Sequence, residues 1–285
     1  AKKSKEIVEI MNYVSTAEYA YEHVNERPIT FQLLNELHKL LVSHTASDGT
    51  DNGKVRSQQV VIGSPTGRVV DARFVPHPPG PDLEIQLRSW LEWVNQERTD
   101  MPPVVAAALA HYQFETIHPF LDGNGRVGRL MITLYLVEKG LLKKPILYLS
   151  DFFEKNRTLY YDNLMKVREK QDINQWFKFF LVGVIETAKN SISTFDKILK
   201  LQKDIEIRIQ GLGSRSVSAN TVVKQLYQHP VIQARKVQEI TGLSMPTAYK
   251  IIEGLEELKV LKEVTGAKRG RLYFFQEYID LFSRD

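Results

Sequence analysis

The run Val104–Thr116, nearly all apolar or small, constrains the fold more than any other stretch of the chain. A helix that is apolar on every side has to lie at the centre of a bundle, covered by other helices. It is followed by His118-Pro-Phe-Leu-Asp-Gly-Asn-Gly-Arg-Val-Gly-Arg129 and by a second apolar helical pattern, Val127–Lys139. Pro119 disfavours helical geometry at His118, so the histidine ends the central helix or begins a loop. Gly123 and Gly125 then allow a tight turn before the next helix. Such a turn feeding a helix N-terminus offers free N–H groups at the positive end of a dipole, which is an anion site. Arg126 and Arg129 share one helical face and can meet the same anion. Asp122 adds a hard oxygen ligand suited to a divalent cation, and His118 adds an imidazole, the side chain most used for proton transfer.

Composition narrows the class. A chain of 285 residues has room for one large or two ordinary domains with a sizeable core. Its 43% hydrophobic and 25% charged content are those of a globular protein. No apolar run approaches the roughly 18–20 residues that span a bilayer, so no membrane partner is expected. Ala1-Lys-Lys-Ser-Lys-Glu has no apolar run behind it and is not read as a signal peptide. The absence of cysteine excludes disulfides and cysteine-ligated zinc, in keeping with an expected cytoplasmic location. A net charge of +4 gives no argument for nucleic acid.

Residues 5–24 have helical spacing, and Thr30 is a plausible N-cap for a second helix, Phe31–Leu41. His38 and His44 lack a third ligand or an HExxH pattern, so ordinary polar roles are expected of both. Residues 45–56 are loop-forming. Gln58–Ile62 and Arg68–Val75 are β-prone around Gly63–Gly67, which predicts a hairpin. Asp82–Asn95 is an amphipathic helix. On the central helix, His111 and Glu115 are four apart; a hydrogen-bonded structural pair is expected, with a catalytic pair as the alternative. Ser150–Tyr161 leads into a helix running to about Arg168, and Ile173–Lys189 completes the bundle. Asn190–Ile209 reads as a connecting helix and Gly211–Ser216 as the best linker.

The last seventy or so residues differ in character. Helices are expected over Ala219–Gln228, Ala234–Thr241 and Pro246–Leu258, the last capped by Ser244. Strands are expected over Leu261–Val264 and Arg271–Phe275. This order resembles a winged helix-turn-helix, with Ser244, Thr247, Tyr249 and Lys250 on its recognition helix and Lys268, Arg269 and Arg271 on its wing. Glu253, Glu256 and Glu257 acidify the same helix, so contact with DNA and contact with protein both stay open.

The run His118–Arg129 resembles the signature of the Fic family, HPFx(D/E)GNGRxxR, at every fixed position. The resemblance implies a mainly α fold: a Fic helical bundle over 1–190 with a β-hairpin flap at about 58–75, a connector over 191–213, and the small winged-helix (α+β) domain over 214–285. It implies a protein adenylyltransferase that moves AMP from ATP to a Tyr, Thr or Ser hydroxyl of a target protein, and of itself, releasing pyrophosphate. His118 would be the base and Asp122 the Mg²⁺ ligand. Gly123, Asn124, Gly125, Arg126 and Arg129 would bind ATP, with the Asn124 amide on phosphate, Arg126 on the departing pyrophosphate and Arg129 on the far phosphate. Gly53-Lys-Val-Arg56 looks like the family's element just before the flap. Ile62 and Gly63 belong to the flap that docks the target, and Tyr160 and Tyr161 would border the adenine. The alternatives are another nucleotide or phosphate-containing donor, or a DNA-binding regulator with self-directed activity. A homo-oligomer is also expected. Many relatives carry an inhibitory (S/T)xxxE(G/N) helix whose Glu pairs with the second signature arginine. No such motif occurs in residues 1–8, Ser150…Glu154 is followed by Lys, and Glu253-Gly254 is preceded by Tyr249. An unpaired Arg129 is therefore expected.

Overall fold

The central apolar run forms a helix, Pro103–Ile117, as its composition requires. The structure, a computed structural model, describes residues 2–24, 27–49, 51–267 and 270–282. Two compact units are present, Ala1–Ala188 and Lys189–Asp285. The first contains α1 (Lys2–Val24), α2 (Phe31–Val42), α3 (Pro81–Asn95), α4 (Pro103–Ile117), α5 (Asn124–Glu138), α6 (Ser150–Lys155), α7 (Arg157–Lys170) and the first part of α8 (Ile173–Gln210).

Small residues on α4 let its neighbours come close. Ala106, Ala107, Ala108 and Ala110 are buried, and two indoles donate to the same helix: Trp90 Nε1 to the Ala110 carbonyl at 2.8 Å and Trp176 Nε1 to the Ala108 carbonyl at 2.9 Å. Phe114, Phe120, Trp176 and Phe180 are fully buried. Each contributes about 1.5–3 kcal/mol relative to an exposed ring. Thr30 Oγ1 accepts the Leu33 N–H at 3.1 Å, the cap expected of it. Asn12 holds the end of α2, its Nδ2 donating to the carbonyls of Leu41 and Ser43.

The predicted hairpin is reduced to one antiparallel bridge, Ile62↔Phe74. The second limb turns into a 3-10 segment, Val69–Asp71. The Asp71 carboxylate accepts the hydroxyls of Ser64 and Thr66, which curls the tip, and Val69 and Val70 are exposed. β-prone residues with no surface to pack against do not hold a ladder. The helix expected to run to about Arg168 is α7, Arg157–Lys170, and a short helix, α6, precedes it across Asn156.

The second unit contains the rest of α8, then α9 (Ser216–Leu226), β1 (Val231–Ile232), α10 (Ala234–Thr241), α11 (Met245–Glu257), β2 (Lys262–Glu263), β3 (Tyr273–Phe274) and α12 (Gln276–Asp280). Its sheet has the order β1-β3-β2, both pairs antiparallel, with Val231 and Lys262 opposite Phe274. The core joins Val222, Leu226, Ile251, Leu255, Tyr273 and Phe275 to Ile205 and Ile209 of α8. Residues expected to connect thus carry core side chains, and α8 is unbroken where two helices were expected. Arg208 forks onto Glu277 at 2.9 and 2.7 Å, tying α8 to α12. Strands β2 and β3 are shorter than predicted, and β1 and α12 are additional. Lys268 and Arg269 lie outside the described residues. Among the described residues no helix is long and apolar enough to cross a membrane.

Candidate active site

Helix α4 ends on His118, whose backbone is left-handed (φ 52°) while its N–H still bonds to the Phe114 carbonyl at 2.8 Å. A non-glycine residue holds that conformation only where its surroundings over-determine it. Here Arg56 does so. Its Nε donates to the His118 carbonyl at 2.7 Å, and its other nitrogens donate to the carbonyls of Gln58, His77 and Ile117. The guanidinium is buried, which presses its pKa down, and it serves as a hub for carbonyls rather than as an ion-pair partner.

The loop beyond closes on itself. Asn124 Oδ1 accepts the Phe120 N–H at 2.8 Å and Nδ2 donates to the Phe120 carbonyl at 2.7 Å. This overturns the expectation that the Asn124 amide holds phosphate: the side chain is buried and both its ends are spent on the loop. Its backbone serves the cavity instead. Gly123 (φ 77°) turns the chain into α5, and the N–H groups of Asn124 and Gly125 have no partner among the described residues. Two free donors at a helix start make an anion cradle.

His38 fastens the loop from α2. The Gly53 N–H donates to His38 Nδ1 at 2.8 Å, so Nε2 carries the hydrogen and donates to the Asp122 carbonyl at 2.9 Å. The ring stacks on Phe120, centroids 3.9 Å apart, and burial lowers its pKa. It is no metal ligand. Nothing in the sequence pairs residue 38 with residue 122.

Asp122 stands exposed at the mouth. Burial of its inner part works to raise its pKa, but the Ser47 hydroxyl, the Gly123 N–H and Arg126 outweigh this and hold it ionised. Among the described residues no three acidic, His or Cys side chains gather to cage a metal. One ionised carboxylate beside an anion cradle suits Mg²⁺, which takes few protein ligands and completes its shell with phosphate and water. Arg126 lies 3.9 Å from Asp122 and 4.0 Å from Glu9. Arg129 crosses over Gly125 and its Nε donates to Ser150 Oγ at 3.0 Å; no carboxylate pairs with it among the described residues.

The predicted His111–Glu115 pair is not formed. The Gly128 carbonyl can only accept, so His111 Nδ1 donates to it (3.2 Å) and Nε2 accepts the Tyr160 hydroxyl (3.0 Å). Burial pushes the His111 pKa down to about 4 and the Tyr160 pKa well up. Glu115 turns instead to His118, its Oε2 lying 3.4 Å from Nδ1. Their spacing of three residues on one helix was the available signal.

One cavity of ≈ 350 Å³ gathers the nominated residues. His118, Asp122, Gly123, Asn124, Gly125, Arg126 and Arg129 line it, together with Ile62, Gly63, Tyr160 and Tyr161. Glu115, expected to pair with His111, lines it as well, and so does Arg157, which was not nominated from sequence. A roomier space of ≈ 440 Å³ between α3 and α4 is walled by Trp90, Trp93, Leu109 and Tyr112 and contains no charged side chain, so it is unsuited to phosphate.

A family model described as Fic/DOC matches residues 28–136, from just before α2 into α5. The chain is 31% identical over 208 residues to "Protein adenylyltransferase Fic" of Drosophila grimshawi, covering 72% of this chain and 37% of that protein. Its counterpart in Drosophila ananassae is 34% identical over 158 residues, 55% of this chain and 28% of that one. The chain therefore spans about a third of the length of these curated relatives. Among solved structures, a Fic family protein from Desulfovibrio desulfuricans aligns over 92% of this chain and 74% of its own, with a TM-score of 0.53 and 24% identity. A Fic domain containing signaling protein from Bacteroides thetaiotaomicron covers 66% of this chain and 72% of its own, with a TM-score of 0.51 and 21% identity. From α2 to α5, around the loop that His38 and Arg56 hold in place, this chain matches the Fic domain.

Proposed function

We propose that the chain is a protein adenylyltransferase, transferring AMP from ATP to a Tyr, Thr or Ser hydroxyl of a protein target, or of itself. One observation carries the reading: a single cavity joins an imidazole, two free N–H groups at a helix start, three guanidinium groups and two tyrosine rings. The names of the aligned relatives support the same activity.

In this reading the hydroxyl oxygen attacks the α-phosphorus in line, its proton passes to His118, and the bond from that phosphorus to the bridging oxygen breaks to release pyrophosphate. Such chemistry depends on positioning and on neutralising charge. The Asn124 and Gly125 N–H groups hold phosphate oxygens, Arg126 takes the pyrophosphate and Arg129 the far phosphate. Asp122 would hold Mg²⁺, which neutralises phosphate charge when bound. Tyr161 offers the adenine a ring face, because Tyr160 is buried and already bonded to His111. The target segment lies along Ile62 and Gly63, by main-chain contact. The second unit is read as a winged helix, a reading supported by its order of helix, strand, two helices and two strands.

Incubation with Mg²⁺ and ATP labelled at the α or the γ phosphate tests the transfer. Label on protein from the α position only, lost in His118→Ala, is the expected result. Label from the γ position alone overturns it.

A further inference from the structure

His118 can accept a proton at one ring nitrogen only if the other nitrogen carries the hydrogen, and the neighbour of that other nitrogen decides the matter. Nδ1 is buried without a full hydrogen bond and faces Oε2 of Glu115 at 3.4 Å, and no hydrogen bond to Nε2 is found within the described residues. Glu115 is 3% exposed, one turn back on the same helix, and His118 is its one ion-pair partner among the described residues. Its Oε1 is buried without a hydrogen bond and lies where Gly128 lacks a Cβ; a methyl there would come within 2.7 Å of it. A buried carboxylate left half unsatisfied is destabilising, and α5 has a glycine at the one place that admits it.

We infer that Glu115 is a positioning residue for His118: its carboxylate holds the hydrogen on Nδ1, leaves Nε2 bare toward the cavity, and stabilises the imidazolium formed when the target hydroxyl gives up its proton. The inference rests on the transferase reading only for the identity of the reaction. The O–H bond breaks, its proton goes to Nε2, and its electron pair forms the new bond to phosphorus. Pyrophosphate departs with the pair of the broken bond. Glu115 stays charged and takes no proton, the part played by the orienting carboxylate of a hydrolase triad. A contact of 3.4 Å is loose for a hydrogen bond, as such contacts often are before substrate binds.

The other groups facing the pair are His111 on α4, Arg129 on α5, Tyr160 on α7 and Arg56, which bonds the His118 carbonyl. His111 and Tyr160 are both neutral near pH 7. Burial works to raise the Glu115 pKa, but His118, His111 and Arg129 together outweigh it and keep the carboxylate ionised.

The test reads the tautomer directly. In the full chain with ¹⁵N-labelled histidine and no ATP, long-range ¹H–¹⁵N spectra, assigned by loss of signals in His118→Ala, should place the neutral hydrogen on Nδ1. In Glu115→Gln the Nε2–H form should gain population. Its kcat should fall roughly 10-fold or more, within the range of general-base effects, with KM for ATP changed less than about 3-fold. The acid limb of its pH–rate profile should move to lower pH, because the imidazolium loses its anion. Glu115→Asp should restore the Nδ1–H form. A hydrogen on Nε2 in the wild type overturns the proposal, as does a Gln variant with unchanged tautomer and kcat. Should the Gln variant not fold, the wild-type spectrum decides alone. The tautomer is read without ATP, so failure of wild-type protein to take α label would sink the transferase reading and leave this result standing.

Discussion

Arg56 Nε donates to the carbonyl of His118 at 2.7 Å, so the backbone of the candidate base is gripped from a loop 62 residues earlier. The same guanidinium serves three further carbonyls and forms no ion pair among the described residues. Arg56→Lys keeps the charge and loses the planar fork. It should lower stability by about 2–3 kcal/mol in urea unfolding, since each buried bond to a charged donor is worth about 1.5–3 kcal/mol. Activity should fall more than KM for ATP rises, because the displaced group is the base and not the anion cradle.

Gly128 is a second point of strict demand. A Cβ there would meet Glu115 Oε1 at 2.7 Å, Phe114 Cδ1 at 3.0 Å and His111 Cε1 at 3.3 Å. Gly128→Ala should lower stability by about 1–3 kcal/mol, as overpacking does. Gly49→Ala, which meets nothing within 4 Å, is the control and should stay within about 0.5 kcal/mol. Equal melting temperatures for the two variants would contradict the packing described between α4 and α5.

His38→Leu keeps bulk and removes both hydrogen bonds that join Gly53 and Asp122 to α2. Leaving a buried N–H and a carbonyl without partners should cost about 2–4 kcal/mol. The anion cradle should loosen with it, seen as weaker ATP binding by calorimetry. Unchanged affinity for ATP would show that the loop does not depend on this clamp.

Acid should destabilise the first unit in a defined window. The folded His111 titrates at about 4 against an ordinary 6.5, so the unfolded chain binds its proton first as pH falls. Stability should therefore decline from about pH 6.5 and level off for this group near pH 4, with a loss of about 2 kcal/mol between pH 7 and 5. His38, also lowered by burial, acts with the same sign. Glu115, held below its usual range, adds its own loss only at still lower pH. Urea unfolding of wild type and His111→Asn at pH 7 and 5 separates the first contribution: the variant should show the smaller drop.

The contiguous part of the site was legible in the sequence. His118, Asp122, Gly123, Arg126 and Arg129 fall within one loop and one helical turn, and the structure leaves them beside one cavity. The central helix was legible too, because nothing but a buried helix suits Val104–Thr116. What could not be read arrives from far along the chain: His38 to Asp122 spans 84 residues and Arg56 to His118 spans 62. Asn124 was misread because an amide next to an anion site can serve the ligand or the loop, and only the closed ring through Phe120 decides. The hairpin failed for want of a packing surface. Strand β1, two residues long, is too short to show an alternation.

Both clamps on the loop, His38 and Arg56, precede it in the chain, and both contacts close long loops whose entropy must be met before they form. Helices α4 and α5 can therefore appear early from local order while the turn between them still lacks its final shape. During synthesis the clamping residues leave the ribosome first and wait for residues 118–125 to follow. The anion cradle is then among the last parts of the first unit to mature, and a chain arrested partway through folding has no formed cradle with which to grip a nucleotide.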